Sequence, residues 1–209
     1  KYVEGREIGE IWGLQTIGIA KSEEEMQAHL SSLPKGGQEA IGSKWSAGDI
    51  MYRDLNGDGK ISKGASTLDD HGDLKVIGNS TPRYFFGIDL NADWKGFDVR
   101  FFFQGVMKRD YWGKDNFCGY LFGVRGDKDI WHARGLVEHQ NYFRAQAIGI
   151  DGHELPANLD AYYPRPVFKE GAKNQETQSR YLQDASYIRL KNFQLGYTLP
   201  AKWMKNIGL

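Results

Sequence analysis

Tyr84-Phe85-Phe86-Gly87-Ile88-Asp89-Leu90-Asn91-Ala92-Asp93-Trp94, then Lys95-Gly96, then Phe97-Asp98-Val99-Arg100-Phe101-Phe102-Phe103-Gln104-Gly105-Val106-Met107, is the stretch that decides how this chain folds. Tyr84, Phe86, Ile88, Leu90, Ala92 and Trp94 are apolar at every second position, and Phe97, Val99, Phe101 and Phe103 resume the alternation after the interruption. A side-chain period of two means strand, and two such runs around a two-residue turn containing glycine predict a β-hairpin. Each arm is about eleven residues. That is long for a globular strand and matches the roughly 9–11 residues a tilted membrane strand needs. The other face carries Asp89, Asn91, Asp93, Asp98, Arg100 and Gln104. Such a face meets bulk water in a soluble sheet and a wet lumen in a barrel, and periodicity alone does not separate the two.

Moving outward, Tyr187–Leu199 reads as a third strand. Phe193, Leu195, Tyr197 and Leu199 alternate with Gln194, Gly196 and Thr198, and Pro200 stops the run. Upstream the same parity holds Arg189 and Lys191, while Ile188 and Leu190 take the other face. The strand is therefore expected to meet an apolar medium in its lower half and to rise out of it in its upper half. Between Met107 and Tyr187 lie about eighty residues without sustained periodicity. A loop of that size is out of place in a compact soluble domain, whereas transmembrane barrels join very short turns on one side to long loops on the other.

Composition agrees with an all-β chain. Of 209 residues 26 are glycine and only 6 proline, and aromatics make up 13%. A balance of 27 basic and 27 acidic residues removes the electrostatic reason to expect nucleic acid as a partner. One cysteine, Cys118, excludes an internal disulfide and a cysteine metal cluster. No apolar run reaches the length of a transmembrane helix. The chain opens Lys1-Tyr2-Val3-Glu4 without an apolar signal region and stops at Asn206-Ile207-Gly208-Leu209, so it reads as a piece of a longer protein.

Before the hairpin, Ile8–Ile19 is β-like, and Ser22 with Glu25 three residues on forms a capping box for a short helix ended by Pro34 and Gly36-Gly37. The strongest local motif follows: Asp54-Leu55-Asn56-Gly57-Asp58-Gly59-Lys60-Ile61-Ser62. It matches the front half of a calcium loop, with side-chain oxygens at positions 1, 3 and 5, glycine at 6, a backbone carbonyl at 7 (Lys60) and Ser62 at 9. The closing carboxylate should stand at position 12, which is Ala65. Asp69, Asp70 and Asp73 lie a few residues beyond and can substitute through a longer loop. The expected ligand set is Asp54, Asn56, Asp58, Lys60 and Ser62, aided by Asp69 or Asp70, holding Ca²⁺ or Mg²⁺ to staple an external loop. The bland reading is a turn held by Asx hydrogen bonds alone.

Nothing points to catalysis. His29, His71, His132, His139 and His153 form no metal-ligand pair, and neither a nucleophile elbow nor a phosphate loop is present. Cys118 reads as a small buried residue, and Arg125-Gly126-Asp127 as a common loop tripeptide. No organic cofactor is implied. Flat aromatic faces suit sugar rings and peptide side chains alike, which makes Tyr111, Trp112, Trp131, Tyr162 and Tyr163 the candidate substrate contacts, with loop packing as the competing role of each.

Three segments together resemble the C-terminal part of SusC/RagA-type TonB-dependent transporters of the Gram-negative outer membrane. They are Gly48-Asp49-Ile50 leading into Asp54–Gly59; Ile77-Gly78-Asn79-Ser80-Thr81-Pro82-Arg83-Tyr84 running into the hairpin and Phe103-Gln104-Gly105; and Arg180–Asn192 ending in Leu195-Gly196-Tyr197-Thr198-Leu199-Pro200. Their order and spacing match the family across roughly residues 5 to 205. Ala65 departs from the pattern, since many members carry a carboxylate there.

The resemblance implies an all-β fold: part of a large antiparallel transmembrane β-barrel, 22-stranded in the family, with long extracellular loops. Residues 1–83 would be mainly extracellular loop with the metal-like motif at 54–62, 84–107 a transmembrane hairpin, 108–186 a long extracellular loop and 187–199 a transmembrane strand; the plug and final strands would be absent. It further implies active import of oligosaccharides or peptides across the cell outer membrane, energised by TonB, with a SusD-like surface lipoprotein as partner, outer-membrane lipid around the barrel and no enzymatic activity. The rival reading from the residues is an extracellular, calcium-stabilised glycan-binding β-sandwich. A dockerin-type module would need a second copy of the calcium loop, which the sequence lacks.

Overall fold

The structure is a computed structural model, and it describes residues 4–113, 140–150, 153–167 and 171–206. Strands dominate and helices are few. In chain order the elements are β1 (Glu10–Leu14), β2 (Thr16–Ile19), α1 (Glu23–Ser31), β3 (Ile50–Tyr52), β4 (Leu74–Asn79), β5 (Tyr84–Trp94), β6 (Phe97–Met107), β7 (Asp110–Tyr111), β8 (Ile148–Ile150), β9 (His153–Leu155), β10 (Gln183–Asp184), β11 (Tyr187–Tyr197) and α2 (Ala201–Asn206). They divide into two units: Lys1–Gly78 with Trp112–Gln183, and Asn79–Tyr111 with Asp184–Leu209.

In the first unit, β1 pairs with β4, β2 with β3 and β8 with β9. Ser22 caps α1 as its sequence predicts, its hydroxyl accepting from the Glu25 amide at 3.2 Å. The Glu25 carboxylate reaches back one residue further than a regular capping box, to the Lys21 amide at 2.6 Å. Met26, fully buried, anchors the helix to a core that includes Leu14, Ile50, Tyr52, Ile61, Phe143 and Tyr181. Residues distant in sequence therefore share one core. The expected loop 108–186 is, in its described part, largely a packed structure: Leu14 N–H donates to the Thr177 carbonyl at 2.8 Å, and the Tyr52 hydroxyl to the Lys173 carbonyl at 2.7 Å.

The second unit is built on a three-stranded antiparallel sheet in the order β11-β6-β5. The hairpin forms in the expected register, Trp94 opposite Phe97 and Ile88 opposite Phe103. Lys95 and Gly96 take φ of 48° and 88°, the positive pair of a tight hairpin turn that matches strand twist. β11 departs from expectation. Its register shifts between Leu190 and Asn192, a β-bulge at Lys191, so that Leu190 lies opposite Phe103 while Phe193 lies opposite Phe101. The bulge changes parity. Ile188 and Leu190 rejoin the face of Phe193, Leu195 and Tyr197, which corrects the expectation that the upper half turns its apolar residues to the other side. The strand also ends at Tyr197 rather than Leu199.

Five cross-strand rows on one face are consequently apolar or glycine throughout: Phe86–Gly105–Ile188, Ile88–Phe103–Leu190, Leu90–Phe101–Phe193, Ala92–Val99–Leu195 and Trp94–Phe97–Tyr197. Phe101 and Phe193 pack at 5.0 Å between ring centroids, Phe97 and Tyr197 at 4.4 Å. Eight residue steps at about 3.4 Å give roughly 27 Å of strand, or roughly 20 Å of height at a tilt of about 40°. This approaches the apolar band of about 25 Å of an outer-membrane barrel.

Candidate functional site

The acidic loop after β3 is shaped by its own side chains. Asp54 accepts the Gly57 amide at 2.6 Å and the Gly59 amide at 2.9 Å, Asn56 accepts the Asp58 amide at 3.0 Å, and Asp58 the Lys60 amide at 3.1 Å. Gly57 and Gly59 sit at φ of 72° and 81°, which a side chain would strain. The loop is closed by Asp73, not by Asp69 or Asp70. The fully buried Asp73 carboxylate accepts the Leu55 amide at 2.7 Å and the Ser62 amide at 2.8 Å. Ligand oxygens of Asp54, Asp58 and Asp73 all lie within 4.8 Å of one another. Asp70 is used elsewhere, its carboxylate accepting the Ala65 amide at 3.0 Å, and Asp69 is exposed outside the cluster. Ser62 serves through its backbone. The Lys60 ammonium approaches Asp58 at 3.9 Å.

Each clustered carboxylate already takes backbone N–H groups, yet a carboxylate has about four lone-pair sites. The donor set is all oxygen, which suits a hard cation. The residues present therefore fit Ca²⁺ or Mg²⁺, and the same bonds also hold the turn by themselves.

Directly before this loop stands a buried charge centre that the motif reading did not single out. Asp49, with no exposed surface, accepts from the Lys173 ammonium at 2.8 Å, from Arg165 at 2.9 and 3.0 Å and from Asn174 at 3.0 Å. Burial opposes the charged carboxylate, but the bonds from Arg165, Lys173 and Asn174 outweigh it and hold Asp49 below its ordinary value. Lys173, itself 1% exposed, also donates to the Ser43 and Lys44 carbonyls and lies 4.8 Å over the Trp45 ring. Gly48 stands at φ 86°, and a Cβ there would come within 2.4 Å of the Phe143 ring, so glycine is what lets Asp49 enter the core. Gly48-Asp49 belongs to the first of the three resembling segments, but its partners, more than a hundred residues away, leave no local signal.

The aromatic candidates separate. Tyr163 is a core residue, 6% exposed and stacked 6.0 Å from Tyr181, so it presents no face to a ligand. Tyr162 is half-buried, edge-on to both Tyr163 and Tyr181. Trp112 is half-buried against the same core, its indole N–H without an acceptor among the described residues. Tyr111 is exposed. Trp131 lies outside the described residues, as do His132, His139, Cys118 and Arg125-Gly126-Asp127. A groove of about 790 Å³ runs between the end of α1 and Trp45, but its buried polar groups are committed: Gln38 to Ile50 and Tyr52, the Trp45 indole to the Gly42 carbonyl.

The sheet of the second unit presents two contrasting faces. Its apolar rows are open: Ile88, Leu90 and Trp94 of β5 and Ile188, Leu190, Phe193, Leu195 and Tyr197 of β11 are between 42% and 68% exposed, while Phe86 is half-buried. On the other face Arg100 forks onto Asp89 through Nε and Nη2, and the rows read Gly87–Gln104–Arg189, Asp89–Phe102–Asn192, Asn91–Arg100–Gln194 and Asp93–Asp98–Gly196. Such a sheet can separate an apolar medium from water. No helix of the described residues is long and apolar enough to cross a membrane, which says nothing about strands.

No family model matches the chain. It is similar to three TonB-dependent receptors of Formosa agariphila: P3, 26% identical over 206 residues and 99% of this chain; P26, 24% over 218 residues and 100%; and P39, 26% over 161 residues and 77%. The likeness to TonB-dependent receptors implied by the motifs is thus found along nearly the whole chain. The chain spans only 16%, 17% and 13% of those receptors.

Proposed function

We propose that this chain is a C-terminal part of the barrel of a SusC/RagA-type transporter, which imports oligosaccharides or peptides across the outer membrane with energy delivered through TonB and with a SusD-like surface lipoprotein as partner. The observation that carries the reading is the open apolar face of β11-β6-β5, five rows deep. Full burial of a large apolar side chain is worth about 1.5–3 kcal/mol, so leaving so many exposed to water would be costly, whereas lipid accepts them. A glycan-binding sandwich would need a second sheet packed about 10 Å over that face, and the exposure of Leu90, Phe193 and Leu195 speaks against one. The chain acts in import, not catalysis. Deleting the full-length protein should abolish growth on its cargo; unchanged growth on every glycan and peptide tried, together with hydrolysis of one of them by the purified protein, would end this reading.

The acidic loop belongs to the same proposal as a structural site for Ca²⁺ or Mg²⁺. Asp54, Asn56, Asp58, the Lys60 carbonyl and Asp73 would hold the ion, which supplies a staple for the loop and no chemistry. What supports it is the set of three carboxylates converging within 4.8 Å. Metal analysis of the purified protein should find one divalent ion that is missing from Asp58→Ala; equal content in both would refute it.

A further inference from the structure

We infer that Arg189 and Lys191 form a cationic contact for anionic groups on the transported cargo, so that the substrate is an acidic oligomer, bearing carboxylate or sulfate, rather than a neutral one. The inference rests on the import reading above and names its substrate class. A bulge sacrifices ladder hydrogen bonds and re-aims side chains, and bulges concentrate near functional sites. Here it inserts Lys191 between Leu190 and Asn192 and leaves the apolar rows on either side intact. The inserted residue is cationic and stands between the Gln104 and Phe102 rows of the polar face.

That face is charge-segregated. Arg189 shares a row with Gln104 and Gly87, and Lys191 follows at the bulge. The carboxylate nearest to them in the register, Asp89, is taken by the fork of Arg100. The other two acidic residues of the face, Asp93 and Asp98, stand at the opposite end, beside the Lys95-Gly96 turn. From the Gln104 row to the Asp98 row is six residues, roughly 20 Å of strand, more than a Debye length of about 8 Å. Neither Arg189 nor Lys191 is ion-paired among the described residues, and both are exposed. The Arg189 guanidinium lies 4.1 Å over the Tyr187 ring. Stacking fixes the plane of the guanidinium and leaves its N–H edge free, the arrangement that suits bidentate capture of a planar carboxylate or of a sulfate. Lys191 adds a second, mobile point charge. The pair stands in the half of β11 nearer Tyr187, away from the Lys95-Gly96 turn.

The test uses the full-length transporter purified in detergent from outer membranes, with tetragalacturonate as anionic probe and cellotetraose as neutral probe, binding followed by calorimetry. Tetragalacturonate should bind at least tenfold tighter than cellotetraose, and raising salt from 50 to 500 mM should erase the difference. Arg189→Gln with Lys191→Gln should remove the preference; Arg189→Lys with Lys191→Arg should keep most of it, and Asp93→Asn with Asp98→Asn, at the other end, should not reduce it. No preference in the parent protein, or an undiminished one in the double glutamine variant, overturns the inference. Heat-shifted mobility on gels reports barrel insertion separately: a protein that inserts yet ignores charge defeats this inference alone, and one that never inserts defeats the import reading.

Discussion

Removing the Asp49 carboxylate would leave Lys173, 1% exposed, without its counter-charge. Breaking one partner of a buried pair costs about 3–5 kcal/mol, so Asp49→Ala should destabilise the chain by about that amount in urea melts. The pH dependence has a definite sign. Asp49 titrates below its ordinary value of 3.8 in the folded state, so its stabilisation is complete above that value and is lost as pH falls through the folded one. Asp49→Asn should therefore show its full deficit against the parent at pH 6, and the gap should narrow below about pH 3.8. A constant gap down to pH 2 would contradict the buried charge centre at Asp49. The acidic loop shows the same limit of local reading. The turn of its front half was legible because alternate oxygens and a glycine are a local pattern, but which of Asp69, Asp70 and Asp73 closes it was not. The path from Ala65 to Asp73 depends on a return turn, in which Thr67 donates its amide to the Asp70 carbonyl at 3.1 Å, and this turn absorbs Asp70 and leaves Asp73 to face the loop.

At the scale of the strand, the hairpin was legible almost to the residue, since a period of two fixes the faces and Lys95-Gly96 fixes the register. The bulge was not. A strand that changes parity looks identical in sequence whether it changes its medium or inserts a residue; only the pairing with Phe102 and Phe103 decides. A deletion distinguishes the two. Removing Lys191 restores strict alternation from Ile188 to Tyr197, so that variant should still assemble in the outer membrane. Removing Gln194 turns the residues on one side of it to the wrong face, and assembly should fail. Equal fates for both would sink the assigned bulge. Val99→Lys places a charge in the second apolar row from the turn and should cost about 2–4 kcal/mol at the midplane and less toward the interface; normal assembly and unchanged unfolding midpoint would argue against a lipid-facing Val99. Gly105→Ala would bring a Cβ within 2.7 Å of the Tyr187 carbonyl and into the Phe86 ring, forcing β6 from β11. Loss of assembly is expected there, against tolerance of Gly149→Ala, where the space is open.

For the whole molecule, the sequence pattern pointed to loops where the structure has a packed unit made of two distant segments. Contacts such as Asp49 with Lys173 carry no periodicity, so a reading by hydrophobic pattern sees only irregular chain. The two-faced sheet, by contrast, is periodic and was legible. One face of this sheet should lie in lipid and the other in water. Spin labels at single cysteines 99, 100 and 101 of the full-length protein, with Cys118 replaced by serine and the protein in outer-membrane lipid, test it most directly through collision with dissolved oxygen and with a water-soluble nickel chelate. A period of two is expected, with labels at 99 and 101 relaxed by oxygen and shielded from nickel, and the label at 100 the reverse; three labels equally open to nickel would refute a lipid-facing side.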